Sequence, residues 1–351
     1  MSSINYYFSL LCLADITTGK IVRTEFFYCK RGISHGFYRA LRHDNTLESF
    51  GVYINGHPSG VWWRSLTGNG YYCGEMNKIL EFEGPNNCFI YPDFETVLMG
   101  LFECDVMRKA SETRIETISV SEFGVLVPHY FHPSQTAIEF YLEKPDETVL
   151  DAKISDNPTI ADPYESKFVQ VRPSMIENAG EGLFSTRKIP KGNVVAYFNG
   201  IRISSELYTE SSDYSISTNN PVNTNKSKDG HQNNKDEDCV IMFDIPDEYR
   251  STTTYCATLA HKICHSFQPN AIYDYAFHPR FGFIRCAVAL RDINEDEEIT
   301  CDYKYSLTKH PPKWYMACLN KHLMEVLNLN EDEVQAIYYE SKSNTITVID
   351  S

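Results

Sequence analysis

The sequence has no run of 18 consecutive apolar residues, which excludes a membrane-spanning helix. It has no Cys-x-x-Cys pair among its 11 scattered cysteines, so neither a zinc ribbon nor a disulfide framework is written in it. Cysteine use of that kind fits a reducing compartment, cytosol or nucleus. No basic residue precedes the first apolar stretch, Tyr6 to Leu13, which therefore reads as a first strand and not as a secretory leader. Positive charge is scarce: 32 Lys and Arg stand against 47 Asp and Glu, a net charge of -15. Such a surface repels nucleic-acid phosphates and attracts basic polypeptides. It also serves solubility alone. No basic cluster of the nuclear-localisation kind is present.

What is present suffices for two or three domains: 351 residues, 42% of them apolar. The charge is uneven. Residues 1–110 hold 11 acids and 10 bases, and the remaining 36 acids face 22 bases, so the acidic field belongs to the C-terminal two-thirds. The N-terminal third repeats. Gly36-Phe37-Tyr38, Gly60-Val61-Trp62 and Gly84-Pro85-Asn86 recur every 24 residues, with Phe50-Gly51-Val52-Tyr53, Tyr72-Cys73-Gly74-Glu75 and Met99-Gly100-Leu101-Phe102 between them. Repeats of this length mean an array. Each unit is short, aromatic and β-branched, with glycine placed as for a turn, and so reads as a β-hairpin whose neighbours bury its faces. The units resemble degenerate MORN repeats, which implies one long twisted sheet over residues 1–110. Such a sheet serves as a docking surface or simply as an orienting wing.

Residues 111–160 read as a β-rich connection, with strands expected at Glu122–Val127 and Ile138–Leu142. Asn157-Pro158 and Asp162-Pro163 mark the exit to the next domain, over 161–325. There, Ala179-Gly180-Glu181-Gly182-Leu183-Phe184 lies between the strand-like Phe168–Val171 and Val194–Phe198. Paired glycines let backbone approach a ligand closely. Some eighty residues later, His265-Ser266-Phe267-Gln268-Pro269-Asn270 leads to Tyr273, an apolar strand, an acidic turn, and the pair Tyr303 and Tyr305.

That order of parts resembles the SET domain of protein-lysine methyltransferases. With Asp162-Pro163-Tyr164-Glu165-Ser166 and Phe198-Asn199-Gly200-Ile201-Arg202-Ile203-Ser204 it is similar, over roughly residues 25 to 325, to the branch that carries MORN repeats and monomethylates the histone H3 tail and other proteins. The resemblance implies a mainly β fold: a hairpin sheet followed by a pseudo-knotted SET domain with few short helices. It implies S-adenosyl-L-methionine as cofactor, held by Ala179, Gly180, Glu181, Lys262, Cys264, His265 and Trp314, with Asn270 beside His265. Trp314 packs on the adenine in that branch, and a core anchor is the competing role. Tyr303, Tyr273 and Tyr305 become the catalytic tyrosines of a lysine channel, Tyr303 foremost, with Tyr273 limiting the product to monomethyl-lysine. Phe198, Tyr273, Arg285 and Tyr303 would meet the substrate, a basic protein or histone-tail lysine. No metal, direct nucleic-acid contact or membrane span is implied. A monomer in nucleus and cytoplasm is expected.

Three departures touch this site. Phe198 stands where the family has tyrosine, and Tyr197 faces the other side of its strand. Cys264 stands for the asparagine before His265, and Cys318 for a glutamate. They leave open an alternative: a SET paralogue that acts as a protein-interaction module. Ser217 to Asp238 is a polar, asparagine-rich insertion expected to be disordered. Past Asn328 a helix is expected at 331–339 and a strand at 345–349, in a tail of no assigned role.

Overall fold

The computed structural model of the protein describes residues 6–15, 17–18, 20–131, 139–140, 150–204, 215–221, 240–305, 311–330 and 333. Nine strands follow one another through the first third: β1 (Tyr6–Ala14), β2 (Ile21–Lys30), β3 (Ile33–Arg42), β4 (Leu47–Ile54), β5 (His57–Ser65), β6 (Tyr71–Gly74), β7 (Gly84–Ile90), β8 (Val97–Glu103) and β9 (Val106–Thr113). Each pairs antiparallel with the next, so spatial order repeats chain order. β10 (Ile115–Val120) and β11 (Leu126–Tyr130) form a separate hairpin, and β12 (Glu139–Phe140) extends the first sheet beyond β9. The strand expected at Glu122–Val127 begins later, because Gly124 takes a positive φ of 82° in a turn closed by its N–H on the Ser121 carbonyl.

The 24-residue glycines are not in the turns. Gly36, Gly60 and Gly84 lie within β3, β5 and β7 with φ of 112°, 65° and 101°. They open β-bulges. Phe27 faces Tyr38 and Cys29 faces Ser34, so three residues of β3 oppose Tyr28 alone. In the next unit Phe50 faces Trp63 and Val52 faces Ser59, which sets Gly60 to Trp62 against Gly51. Gly51 must be glycine: a Cβ there would lie 2.2 Å from the Trp62 indole. The bulge thus lays Trp62 across its neighbouring strand, within 5.5 Å of Tyr38 and 5.1 Å of Tyr53, and the aromatics interlock along the sheet.

After the short helix α1 (Glu165–Phe168) come β13 (Val169–Pro173), β14 (Glu181–Ser185), β15 (Val194–Phe198), β16 (Ile201–Ser204), β17 (Ser215–Pro221), β18 (Val240–Asp244), β19 (Cys264–His265), β20 (Ala271–His278), β21 (Gly282–Ala289) and β22 (Glu298–Cys301), then α2 (Lys313–Leu327). One sheet has the order β13-β14-β22-β20-β21-β15, with β19 also on β22; a smaller one has β16-β18-β17. The last strand therefore enters between two earlier ones, which is the threading a pseudo-knot needs. The fold is mainly β, as expected. The insertion expected to be disordered begins in order, since Ser217–Pro221 belong to β17; its residues 222–238 lie outside the described residues. So does the expected 331–339 helix, Glu333 apart, and the 345–349 strand. No helix among the described residues is long and apolar enough to cross a membrane.

The two halves share one apolar core. Tyr72 of β6 packs 5.5 Å from Phe277 of β20, and the Phe277 N–H donates to the Thr67 carbonyl in the turn between β5 and β6. At the same junction buried Asp162 accepts from Tyr91 Oη at 2.5 Å and His278 Nε2 at 3.0 Å.

Candidate functional site

The site begins with a buried carboxyl. Glu165 Oε1 accepts the N–H of Tyr197 at 2.6 Å and of Leu259 at 3.1 Å, tying β15 to the 3-10 turn Ala260–Lys262. Burial, followed by the charge of Asp162, raises this carboxyl well above the usual range. One strand and one turn are thereby held side by side, and each carries site residues.

A cleft of about 320 Å³ opens beside them. Its walls are Ile176, Glu177, Asn178, Ala179 and Glu181 before and within β14; His261 to His265; Tyr303 after β22; and Trp314 and Cys318 on α2. Among the residues expected to hold cofactor, Ala179, Glu181, Lys262, Cys264, His265 and Trp314 line this one cleft. Gly180 does not line it and makes the turn, with φ of 76° and open space where a Cβ would be. Asn270 stands behind it: its Nδ2 donates to the Glu298 carbonyl and its Oδ1 accepts from Thr300 N–H, bracing β22.

The cleft has a distinct electrostatic character. Lys262 Nζ reaches Glu181 Oε2 at 2.6 Å and donates to the Arg250 carbonyl. His265 Nδ1 accepts the Tyr303 N–H at 3.2 Å, so the neutral ring carries its proton on Nε2. That nitrogen is buried and has no partner among the described residues. Burial lowers the His265 pKa, outweighing Asp302 at 3.8 Å. The Cys264 thiol donates to the Glu181 carbonyl at 3.4 Å and lies 3.6 Å from Ser174 Oγ; burial pushes its pKa up to about 11 and keeps it neutral. Trp314 is 36% exposed, which does not fit a core anchor, and its ring stands about 6 Å from those of His265, Tyr303 and Tyr305.

Behind the cleft the tyrosines converge. Tyr303 Oη donates to the Ile263 carbonyl at 2.5 Å, and Tyr273 Oη to the Ala260 carbonyl at 3.1 Å. Close packing raises the Tyr273 phenol well above its ordinary pKa. Tyr305 packs 6.1 Å from Tyr303. Phe198 stands edge-on to Tyr273 at 6.2 Å and to His261 at 6.4 Å. Tyr197 turns the other way, 4.8 Å from His278, so it does not stand in for the missing hydroxyl. Arg285 faces Phe198 on one side and Tyr275 on the other, with its guanidinium 4.4 Å over the Tyr275 ring. Tyr303 thus belongs to both the cleft and the aromatic wall. No cluster of three or more metal-ligating side chains occurs among the described residues.

Sequence reasoning missed Glu165 and His261. Glu165 is a carboxyl in the Asp-Pro-Tyr-Glu-Ser run, and the only signal for His261 is a polar pair, with Lys262, inside an otherwise apolar stretch.

Comparison with known proteins agrees with this geometry. The family model for the SET domain matches residues 180–304. Histone-lysine N-methyltransferase SETD7 of the ascidian Halocynthia roretzi is 32% identical over 283 residues, 79% of this chain and 68% of that protein. A solved Plasmodium falciparum structure, provisionally described as a histone methyltransferase, aligns at 17% identity over 41% of this chain and 98% of its own, with a TM-score of 0.25; it carries no argument here. An N-terminal hairpin sheet that fits MORN repeats, a SET-domain match from Gly180 to Lys304, and identity across most of the chain lead to one conclusion: the chain belongs to the SET-domain protein-lysine methyltransferase family.

Proposed function

We propose that the protein is an S-adenosyl-L-methionine-dependent lysine N-methyltransferase that adds one methyl group to lysines of histone tails or other basic proteins, in nucleus and cytoplasm. The observation that carries this reading is the commitment of two hydroxyls. Tyr303 and Tyr273 each donate to a backbone carbonyl, Ile263 and Ala260, so each hydroxyl hydrogen is committed and the oxygen can meet a ligand as an acceptor. Two acceptors beside an aromatic wall suit the N–H groups of a lysine amine.

The residues lining the cleft fit the cofactor. Lys262 offers a cation for its carboxylate, the turn at Ala179–Glu181 offers backbone groups, Cys264 its main chain, His265 an unpartnered Nε2–H, and Trp314 a half-open ring face. When bound, this cofactor supplies a methyl group activated by a positively charged sulfur. The chain's own work is to deliver the amine neutral and aligned. A free lysine has a pKa of about 10.4 and is charged at neutral pH. An apolar wall such as Phe198 and the Tyr273 ring disfavours the ammonium by desolvation. Tyr303 and Tyr273 then hold the amine N–H groups and leave its lone pair free for the methyl carbon. Tyr273, braced on Ala260, narrows the space for a second methyl. Arg285 and Tyr275 lie on the same strands just outside this wall, where a substrate backbone would pass.

The test is tritium transfer from labelled cofactor to histone and other basic proteins. Transfer is expected; none, where calorimetry shows cofactor binding, refutes the enzyme. The interaction-module reading draws on Cys264, whose thiol is engaged with Glu181 and provides no amide. Absence of cofactor binding would decide for it.

A further inference from the structure

We propose that His261 is the third hydrogen-bond acceptor of the lysine channel, supplying at the Phe198 wall what the missing tyrosine hydroxyl would have supplied. The inference rests on the methyltransferase reading and assigns a residue to the same site.

His261 is 4% exposed, yet neither ring nitrogen has a hydrogen-bond partner among the described residues. The ring leans toward the Thr258 backbone without reaching hydrogen-bond geometry. The hydroxyl of Tyr255, whose ring packs 5.5 Å away, is already engaged with Thr258 Oγ1 and the Asn199 carbonyl. Leaving a buried polar group unsatisfied is costly, and such groups call for an explanation. A ligand provides one, because His261 lines the cleft and stands edge-on to Phe198. The residue before it, Ala260, takes the Tyr273 hydroxyl, so the imidazole sits one residue from the channel's own bracing. Its position is fixed, since Glu165 holds Leu259 and Tyr197 together.

The charge state suits an acceptor. Burial, and then the neighbouring Lys262 charge, hold the His261 pKa down at about 3. A neutral imidazole always keeps one nitrogen lone pair. Tyr303 and Tyr273 already take the two N–H groups of the neutral amine, so the ring accepts the O–H of one water whose oxygen shares one of those N–H groups, and it takes up no proton. The ammonium proton leaves to solvent before transfer, the lone pair stays directed at the methyl carbon, and the product is a methylammonium that keeps its two N–H protons.

The test compares wild type, His261→Leu, His261→Gln and the double variant His261→Leu/Phe198→Tyr. Calorimetry measures cofactor affinity, then the affinity of a histone H3 tail peptide in the presence of S-adenosylhomocysteine; tritium transfer measures kcat/KM. His261→Leu is expected to lower peptide affinity and kcat/KM at least tenfold, with cofactor affinity within threefold. His261→Gln, which keeps an acceptor, should fall between the two. The double variant should recover most of the loss. Peptide affinity unchanged in His261→Leu, a matching loss of cofactor affinity, or no recovery in the double variant would each overturn the proposal. A wild type that binds peptide but transfers no methyl refutes the methyltransferase reading alone, because the affinity series still reads the hydrogen bond.

Discussion

Asp162→Asn should loosen the joint between the two halves of the molecule by about 2.5–6 kcal/mol. Asp162 Oδ1 accepts the N–H groups of Tyr164 and Glu165 at 3.0 and 2.9 Å, and Oδ2 accepts Tyr91 Oη and His278 Nε2. Asparagine keeps its carbonyl on the first pair and turns its amide toward the second. Tyr91 can rotate its hydroxyl and accept. His278 cannot, because its Nδ1 already accepts the Arg280 N–H at 3.1 Å and its proton is therefore on Nε2. A donor then faces a donor in a space where both side chains are 1% exposed. One bond to a charged group is lost, worth about 1.5–3 kcal/mol, and one buried donor is stranded at about 1–3 kcal/mol. Whole domains are stable by only about 5–15 kcal/mol. Urea unfolding followed by circular dichroism and by tryptophan fluorescence tests this. Trp62 and Trp63 report the first sheet, and Trp314 the second half. The midpoint should fall, and the two signals should separate as the halves lose their coupling. A loss under about 2.5 kcal/mol would show that the cluster is not the joint, because the two terms together allow no smaller value.

Tyr303→Phe should abolish methyl transfer while keeping the ring contacts to Tyr305 and Trp314; loss of the bond to Ile263 should lower stability by about 1 kcal/mol. Activity near wild type in the tritium assay would show that Tyr303 is misassigned. Phe198→Tyr alone should leave turnover close to wild type, because His261 already supplies an acceptor at that wall, and a large rise in the tritium assay would mean that it does not. His261 also sets a pH dependence. Its folded pKa of about 3 lies below an unfolded value of about 6.5, so the unfolded chain binds a proton that the native one excludes. The associated stability is complete above pH 6.5 and declines as pH falls, by about 3 kcal/mol at pH 4. Urea midpoints from pH 7 to pH 4 should drop less steeply in His261→Leu than in wild type, and equal slopes would contradict a buried neutral imidazole.

Local pattern was enough for much of this molecule. A continuous apolar run bounded by turns forecast the strand Val194–Phe198, and the 24-residue period forecast the hairpin order, because both signals lie between chain neighbours. The tyrosines and the glycine turn were legible because their residue types and order are unusual in combination. The same local reading misplaced Gly36, Gly60 and Gly84. A positive φ is compatible with a turn or a bulge, and only the partner strand distinguishes them.

The amino-acid sequence by itself thus determined the hairpin array, the β character of both halves and the tyrosines available for a lysine channel. The tertiary structure alone decided that Glu165 grips Leu259, 94 residues away, and that Asp162 joins Tyr91 to His278. It alone left His261 without a partner beside Phe198. The physical reason is threading. β22 enters the sheet between β14 and β20, so residues far apart in the chain become neighbours, and no periodicity in one segment records which distant group will be there to accept or donate its hydrogen bond.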